Sequence, residues 1–180
     1  MNDAMPTQPA QPRALSLAQA LGFSEQDLDA NHGGRLSEAQ MNRLRRLQRR
    51  SLIGIAAGMV FNGLAAAVFI YLGASSESPV LTVIGMGLTV VNAMIVGVGG
   101  ATFMRAQHDL RAGEVAALEG KLIHTIRVNR RKRTYMIDIA GERLVIPREV
   151  FTAFDEGSAY RLYRSPATRI LLSAEKLQGN

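Results

Sequence analysis

Two long stretches of the chain lack any charged side chain and dominate its hydrophobic pattern. They cover residues 52–73 and 80–104. Each is at least as long as the roughly 20 apolar residues that an α-helix needs to cross a hydrocarbon layer about 30 Å thick. The short polar link between them permits only a tight turn between antiparallel helices. The pattern therefore predicts two transmembrane helices folded as a hairpin.

The residues before the first span predict a short helical segment behind a tail. Residues 1–23 are rich in Pro and Gln near their start and lack a basic, then apolar, signal pattern, so we expect a mostly disordered tail. Residues 24–51 contain two capping-box patterns, one at Ser24 and a stricter one at Ser37. The second predicts a helix that continues unbroken into the first span.

After the second span the pattern changes from helical to alternating. Residues 105–113 predict a helical linker that ends at Gly113, and residues 114–176 predict a small all-β domain. Its first strand is expected over residues 115–128, with a bulge or bend at Gly120.

Five strands are expected in this domain, with one helix between the third and the fourth. The helix is predicted over residues 148–154, with Phe151 and Phe154 packed inward. This order of elements is typical of an OB-like barrel, and a small SH3-like barrel is the near alternative. The predicted fold class is therefore a membrane α-helical hairpin followed by a small C-terminal all-β barrel.

The net charge of +6 could suggest nucleic acid in a soluble protein, but the basic residues crowd the ends of the apolar spans. The link between the spans carries one charged residue, Glu77. The flanking basic residues are Arg43, Arg45, Arg46, Arg49, Arg50, Arg105 and Arg111. Because basic residues are retained on the cytoplasmic side, we expect both termini in the cytoplasm and the hairpin in a bacterial inner membrane.

Small and polar residues recur at about every fourth position of both spans. The positions expected to pack are Gly54, Gly58, Asn62, Gly85, Thr89, Asn92 and Gly97. Such residues let helix backbones approach closely in lipid, either within one hairpin or between two copies. Asn62 and Asn92 are predicted at similar depths, where they form a clamp, contact a second copy or line a pore.

The sequence offers no constellation for catalysis or for a cofactor. There is no Cys, and the three His residues lie in separate segments, so no metal site is expected. The most charged feature is the loop Arg130, Arg131, Lys132 and Arg133. An anionic membrane surface is the expected contact for this loop, and nucleic acid is the less favoured one.

Two segments resemble uncharacterised bacterial two-span membrane proteins that carry a small C-terminal β domain. The first is DLDANHGGRLSEAQ, residues 27–40, and the second is YRLYRSPATRILLSAE, residues 160–175. The resemblance rests on a pattern rather than on a catalytic signature, so it implies this architecture and no activity.

Taken together, these features predict a non-enzymatic, membrane-anchored adaptor that presents its β domain to a protein partner. The alternative is a homo-oligomeric channel or transporter subunit built from packed hairpins. The absence of charged residues within the spans counts against this alternative, because ion and proton coupling often uses them. An enzyme is the least favoured class.

The predicted orientation can be tested by labelling single cysteines in intact cells. Because the chain has no native Cys, replacements at Ser76, Ser24 and Ser158 each report on one site. A membrane-impermeant thiol reagent should label only the cysteine at position 76. Labelling at position 24 or 158 in unbroken cells would contradict the orientation.

Overall fold

The computed structural model describes residues 16–129 and 132–177, Lys132 in its backbone alone. These residues fall into two compact units, one of residues 16–24, 117–163 and 171–177, and one of residues 25–116 and 164–170. Within the described residues, the helices and strands are α1 Leu17–Leu21, α2 Glu25–His32, α3 Glu38–Ser75, α4 Pro79–Ala112, β1 Ala116–Lys121, β2 Ile123–Asn129, β3 Lys132–Ile139, β4 Glu142–Ile146, α5 Arg148–Ala153, β5 Ala159–Arg164 and β6 Leu171–Lys176.

The second unit is built on α3 and α4, which form a hairpin. The capping box predicted at Ser37 is present: its side chain accepts from the Gln40 N–H, and the Gln40 side chain accepts from the Ser37 N–H. From this cap α3 runs unbroken through 38 residues. The shorter helix α4 has Pro79 in its first turn and ends at Gly113, which adopts a left-handed conformation with φ 63°.

Both long helices are apolar, and the described residues leave them largely uncovered. Each is long and apolar enough, by length and composition, to cross a membrane. Only 6% of the most apolar 18-residue window in each helix is buried. The exposed side chains are large, and Phe61 and Tyr71 are 77% and 72% exposed.

The end of the hairpin away from its turn is closed by backbone hydrogen bonds. The N–H of Leu36 donates to the Gly113 carbonyl at 2.8 Å, and the N–H of Val115 donates to the Gly34 carbonyl at 3.0 Å. Between them, Arg35 and Glu114 form an isolated antiparallel bridge. The residues that precede α3 are therefore paired with those that follow α4.

The first unit contains two three-stranded antiparallel sheets with strand orders β1-β5-β6 and β2-β3-β4. In the second sheet, Ile137 of β3 stands opposite both His124 of β2 and Leu144 of β4. Buried residues from both sheets and from α5 form one core. As predicted, Phe151 and Phe154 point into it.

The predicted barrel, OB-like or SH3-like, is not closed, because the strands form two separate three-stranded sheets. The segment 115–128 is not one strand, because it divides at Leu122 into β1 and β2 of different sheets. Leu122 is fully buried, its N–H donates to the Ser158 carbonyl, and its carbonyl accepts from the Gly157 N–H. These bonds to a loop replace sheet pairing, and the chain passes from one sheet to the other at Leu122 rather than at Gly120.

Helix α1 was not predicted, because the sequence favours a tail over residues 1–23. The helix has a complete capping box between Ser16 and Gln19 and ends at Gly22, which has φ 68°. It contacts α5 and β6, and its Leu21 belongs to the buried core of the β unit. Residues 1–15 lie outside the described part of the chain.

The contribution of α1 to the β unit can be tested with Leu21→Ala. Removing a buried leucine side chain should cost about 2–5 kcal/mol, and amide hydrogen exchange in β3 and β6 should accelerate accordingly. The matched control is Val145→Ala in the same unit, since Val145 is 69% exposed. Equal exchange rates in both variants would show that α1 does not stabilise the core.

Candidate functional site

The predicted packing residues divide into those between the long helices and those that face away. A methyl group added to Gly85 would lie 2.5 Å from Cγ1 of Ile70 and 3.0 Å from the carbonyl oxygen of Ala66. Gly73, which was not predicted, is equally crowded, because a methyl group there would lie 2.6 Å from the Thr82 nitrogen. The backbones of α3 and α4 therefore approach most closely near their turn.

Three of the predicted glycines lie on open surface. A methyl group on Gly54, Gly58 or Gly97 would meet no described atom within 4 Å beyond the adjacent helix backbone. Thr89 is satisfied within its own helix, where its hydroxyl donates to the Gly85 carbonyl at 3.0 Å. The three glycines therefore do not mediate the contact between α3 and α4.

The two asparagines of the apolar spans, Asn62 and Asn92, do not bond to each other. Nδ2 of Asn62 donates to the Leu88 carbonyl of α4 at 2.9 Å. A methyl group on Gly63 would lie 3.6 Å from Nδ2 of Asn92, so this side chain also lies against α3. Its Oδ1 is buried and has no hydrogen-bond partner among the described residues. Asn62 thus joins the helices through a backbone carbonyl, and the predicted Asn–Asn clamp is absent.

Residues of the segment 27–40 lie together at the end of the hairpin away from its turn. The Ser37 hydroxyl, which caps α3, also donates to the buried carboxylate of Asp27 on α2. Leu36, which directly precedes Ser37, is buried, and its N–H donates to the Gly113 carbonyl. These contacts position the start of α3.

Asp109 is the principal polar anchor that sequence reasoning missed. It lies on the last turns of α4 and is 1% exposed. Its Oδ1 accepts from the Ala167 N–H at 2.7 Å. Its Oδ2 accepts from the N–H and the hydroxyl of Thr168, at 2.7 and 2.6 Å. One carboxylate thereby holds the 164–170 segment against α4.

A sequence signal for this anchor does exist. An acidic residue near the C-terminus of a helix opposes the helix dipole, so Asp109 is unfavourable there unless its charge is used otherwise. The segment it holds is also tightly folded: Ser165 Oγ lies 2.6 Å from Thr168 Oγ1 and accepts from the Ile170 N–H at 2.9 Å. Such Ser and Thr turns offer amide donors to a nearby anion.

The predicted basic loop is described only at its end. Arg130 and Arg131 lie outside the described residues, as does the side chain of Lys132. Arg133 is exposed on β3 and stands opposite Val128.

Two apolar side chains on β2 continue the core-facing side of the sheet beyond the core. They are Ile126 and Val128, 52% and 67% exposed, and we call them the hairpin strip. Ile126 stands opposite Tyr135, whose ring lies 5.2 Å from that of Phe151. The core thus ends at Tyr135, and none of the described residues covers the hairpin strip.

The charged side chains of the β unit form surface networks. The Arg143 guanidinium and the Thr125 hydroxyl donate to Asp138, and these hydrogen bonds hold the pKa of its carboxyl below the usual range. Burial, together with donation to Glu175, raises the pKa of Tyr163 to about 12, so its phenol stays protonated. These contacts satisfy side chains of adjacent strands.

The described residues contain no group of three His, Asp or Glu side chains that could hold a metal ion. His124 lies in the core region, where its ring stacks on Phe151 with 4.0 Å between centroids. No protein-family model matches the chain, and no curated protein or solved structure is similar to it.

The role of Asp109 can be tested with Asp109→Asn. An amide keeps one acceptor oxygen and turns an NH₂ group toward a backbone donor, which leaves a buried donor unsatisfied at a cost of about 1–3 kcal/mol. Tryptic cleavage after Arg164 and Arg169 in the full-length protein should become roughly five- to 150-fold faster, the factor to which this cost corresponds. Asp29→Asn, on the exposed side of α2, should leave the cleavage rate unchanged. Equal rates in the two variants would exclude the anchor.

Proposed function

We propose that the protein is a two-span integral membrane protein that acts as a non-enzymatic adaptor. In this proposal the hairpin lies in a bacterial inner membrane with both termini in the cytoplasm. The β unit then stands on the cytoplasmic side, where it binds a protein partner.

The membrane location is supported by the uncovered apolar surface of α3 and α4. The core helix of a soluble protein of this length would be mostly buried, whereas here 6% of each apolar window is buried. Leaving so many large apolar side chains in water is unfavourable, at about 25 cal/mol for each Å². A lipid bilayer covers all of them at once, and this observation carries the proposal.

The proposed orientation is supported by the distribution of charge. The end of the hairpin that carries the arginines is the end that the positive-inside rule keeps in the cytoplasm. The link between the two spans carries one charged residue, the acidic Glu77, and no basic residue. The basic loop at residues 130–133 would then lie on the same side of the membrane, and its contact with anionic lipid remains part of the proposal.

Binding of a protein partner is supported by the hairpin strip. Ile126 and Val128 are exposed apolar side chains. Other large apolar residues on the same face of the sheet, such as Ile137 and Leu144, are buried. Exposed apolar side chains next to basic ones are typical of the centre and rim of a binding surface.

The second candidate is a homo-oligomer built from packed hairpins. One observation favours it: Gly54, Gly58 and Gly97 offer small-residue surface that α3 and α4 do not use between themselves. Small residues on a lipid-facing surface allow close contact with another helix. A channel or transporter subunit would use this surface to surround a pore.

Photo-crosslinking in native membranes distinguishes the two candidates. A photo-reactive residue replaces Ile126 or Val128, and the matched control replaces Thr152, which is exposed on α5. The adaptor proposal predicts one discrete adduct with a second protein at both strip positions and none at position 152.

The other outcomes contradict the adaptor proposal. A ladder of adducts whose masses are multiples of the chain would favour the homo-oligomer. The absence of any adduct at positions 126 and 128 would show that the hairpin strip does not bind a protein.

A further inference from the structure

A cavity opens between α3 and α4 near the end of the hairpin away from its turn. Its volume is about 240 Å³, and its lining is mainly apolar, with Leu44 and Leu47 on α3 and Ala106 and Leu110 on α4. Thr168 and Ile170 close one side of it. These two residues belong to the segment that Asp109 holds in place.

This cavity continues along the hairpin into a groove of about 420 Å³. The cavity and the groove share Ser51 and Thr102 as lining residues. The groove continues past Ile55, Val98 and Gly99, so its lining is also mainly apolar. An apolar groove open to the side of a membrane helix pair can take up a hydrocarbon chain.

The cations beside this cavity have no counter-ion within the described part of the chain. Arg45 and Arg49 directly follow the lining residues Leu44 and Gln48, each about 100° further around α3. Arg105 directly precedes Ala106 on α4. All three arginines are exposed, and none pairs with a described acidic residue. An external anion at this depth would be favoured by all three.

One polar group at the cavity supports an occupant with an acceptor. Gln48 lies on the lining, and its Nε2 is buried with no hydrogen-bond partner among the described residues. A buried donor without an acceptor is costly, at about 1–3 kcal/mol, and a small side-chain rotation would let it meet an oxygen in the cavity.

We propose that the groove and cavity bind one acyl chain of an acidic phospholipid. The chain lies along Ile55, Val98 and Gly99, its ester end reaches Gln48, and its phosphate lies among Arg45, Arg49 and Arg105. The proposal rests on the membrane location proposed above. It adds a specific site for one lipid class, whereas a hairpin without such a site would contact all lipids of the bilayer alike.

The site can be tested by fluorescence, because the chain has no native Trp. The full-length protein carries a single Trp at position 98, which lines the groove, or at position 96, which does not. Val96 and Val98 are both exposed, by 53% and 70%. A step of two residues turns about 200° around the helix, so the control position lies at a similar depth on another face. Each variant is reconstituted with lipids brominated on the acyl chain, either phosphatidylglycerol or phosphatidylcholine.

The proposal predicts a lipid preference at position 98 alone. Brominated phosphatidylglycerol should quench Val98→Trp at a lower mole fraction than brominated phosphatidylcholine does. Val96→Trp should be quenched equally by both lipids. Replacing Arg45, Arg49 and Arg105 with Gln in the Val98→Trp protein should lower the preference by roughly fivefold for each arginine removed, the factor to which about 1 kcal/mol corresponds. The same change at Lys121, Arg127 and Arg148 should leave it intact.

Three outcomes would overturn the lipid site. Equal quenching by both lipids at position 98 would show ordinary contact with the bilayer. Quenching at position 96 with none at position 98 would show that a protein segment or a second copy fills the groove. No quenching at either position would contradict the membrane location itself, and the lipid site with it.

Discussion

The contact between α3 and α4 has few sources of free energy if lipid surrounds the hairpin. Lipid tails are as apolar as the side chains, so the association of helices depends on close packing and on hydrogen bonds between them. The hairpin has both, because Gly85 and Gly73 let the backbones approach and Asn62 donates to the Leu88 carbonyl. A larger residue at Gly85 would meet Ile70 and Ala66, and the helices would have to separate.

The other end of the hairpin is held by polar contacts instead. Leu36 pairs with Gly113, and Ser37 links the cap of α3 to Asp27 on α2. Asp109 then fixes the 164–170 segment against α4 through three hydrogen bonds. Polar anchoring of this kind suits a region outside hydrocarbon, where exposed backbone can be hydrated. The proposed lipid site lies around Ser51 and Thr102, between the closely packed part of the hairpin and the part held by polar contacts.

Features with local causes could be predicted from the sequence. The extent of α3 and α4 follows from apolar composition, the cap at Ser37 from its spacing to Gln40, and the end at Gly113 from the conformational freedom of glycine. The helix around Phe151 could be predicted from the seven consecutive residues 148–154. Each of these signals is contained in a few consecutive residues.

Features that depend on contacts distant in sequence could not be predicted. Leu122 interrupts the alternating pattern only because its N–H donates to the Ser158 carbonyl and its carbonyl accepts from the Gly157 N–H. Helix α1 is five residues long, too short to be stable without the core into which Leu21 packs. Asp109 binds residues 58 and 59 positions away, and no local pattern identifies such a partner.

The proposed membrane hairpin is tested most directly by extracting cell membranes with alkaline sodium carbonate. This treatment removes proteins held at the surface by charge, whereas two spanning helices keep a protein with the lipid. The account predicts that the full-length chain sediments with the extracted membranes and dissolves only when detergent is added. Its release into the carbonate supernatant would contradict the account.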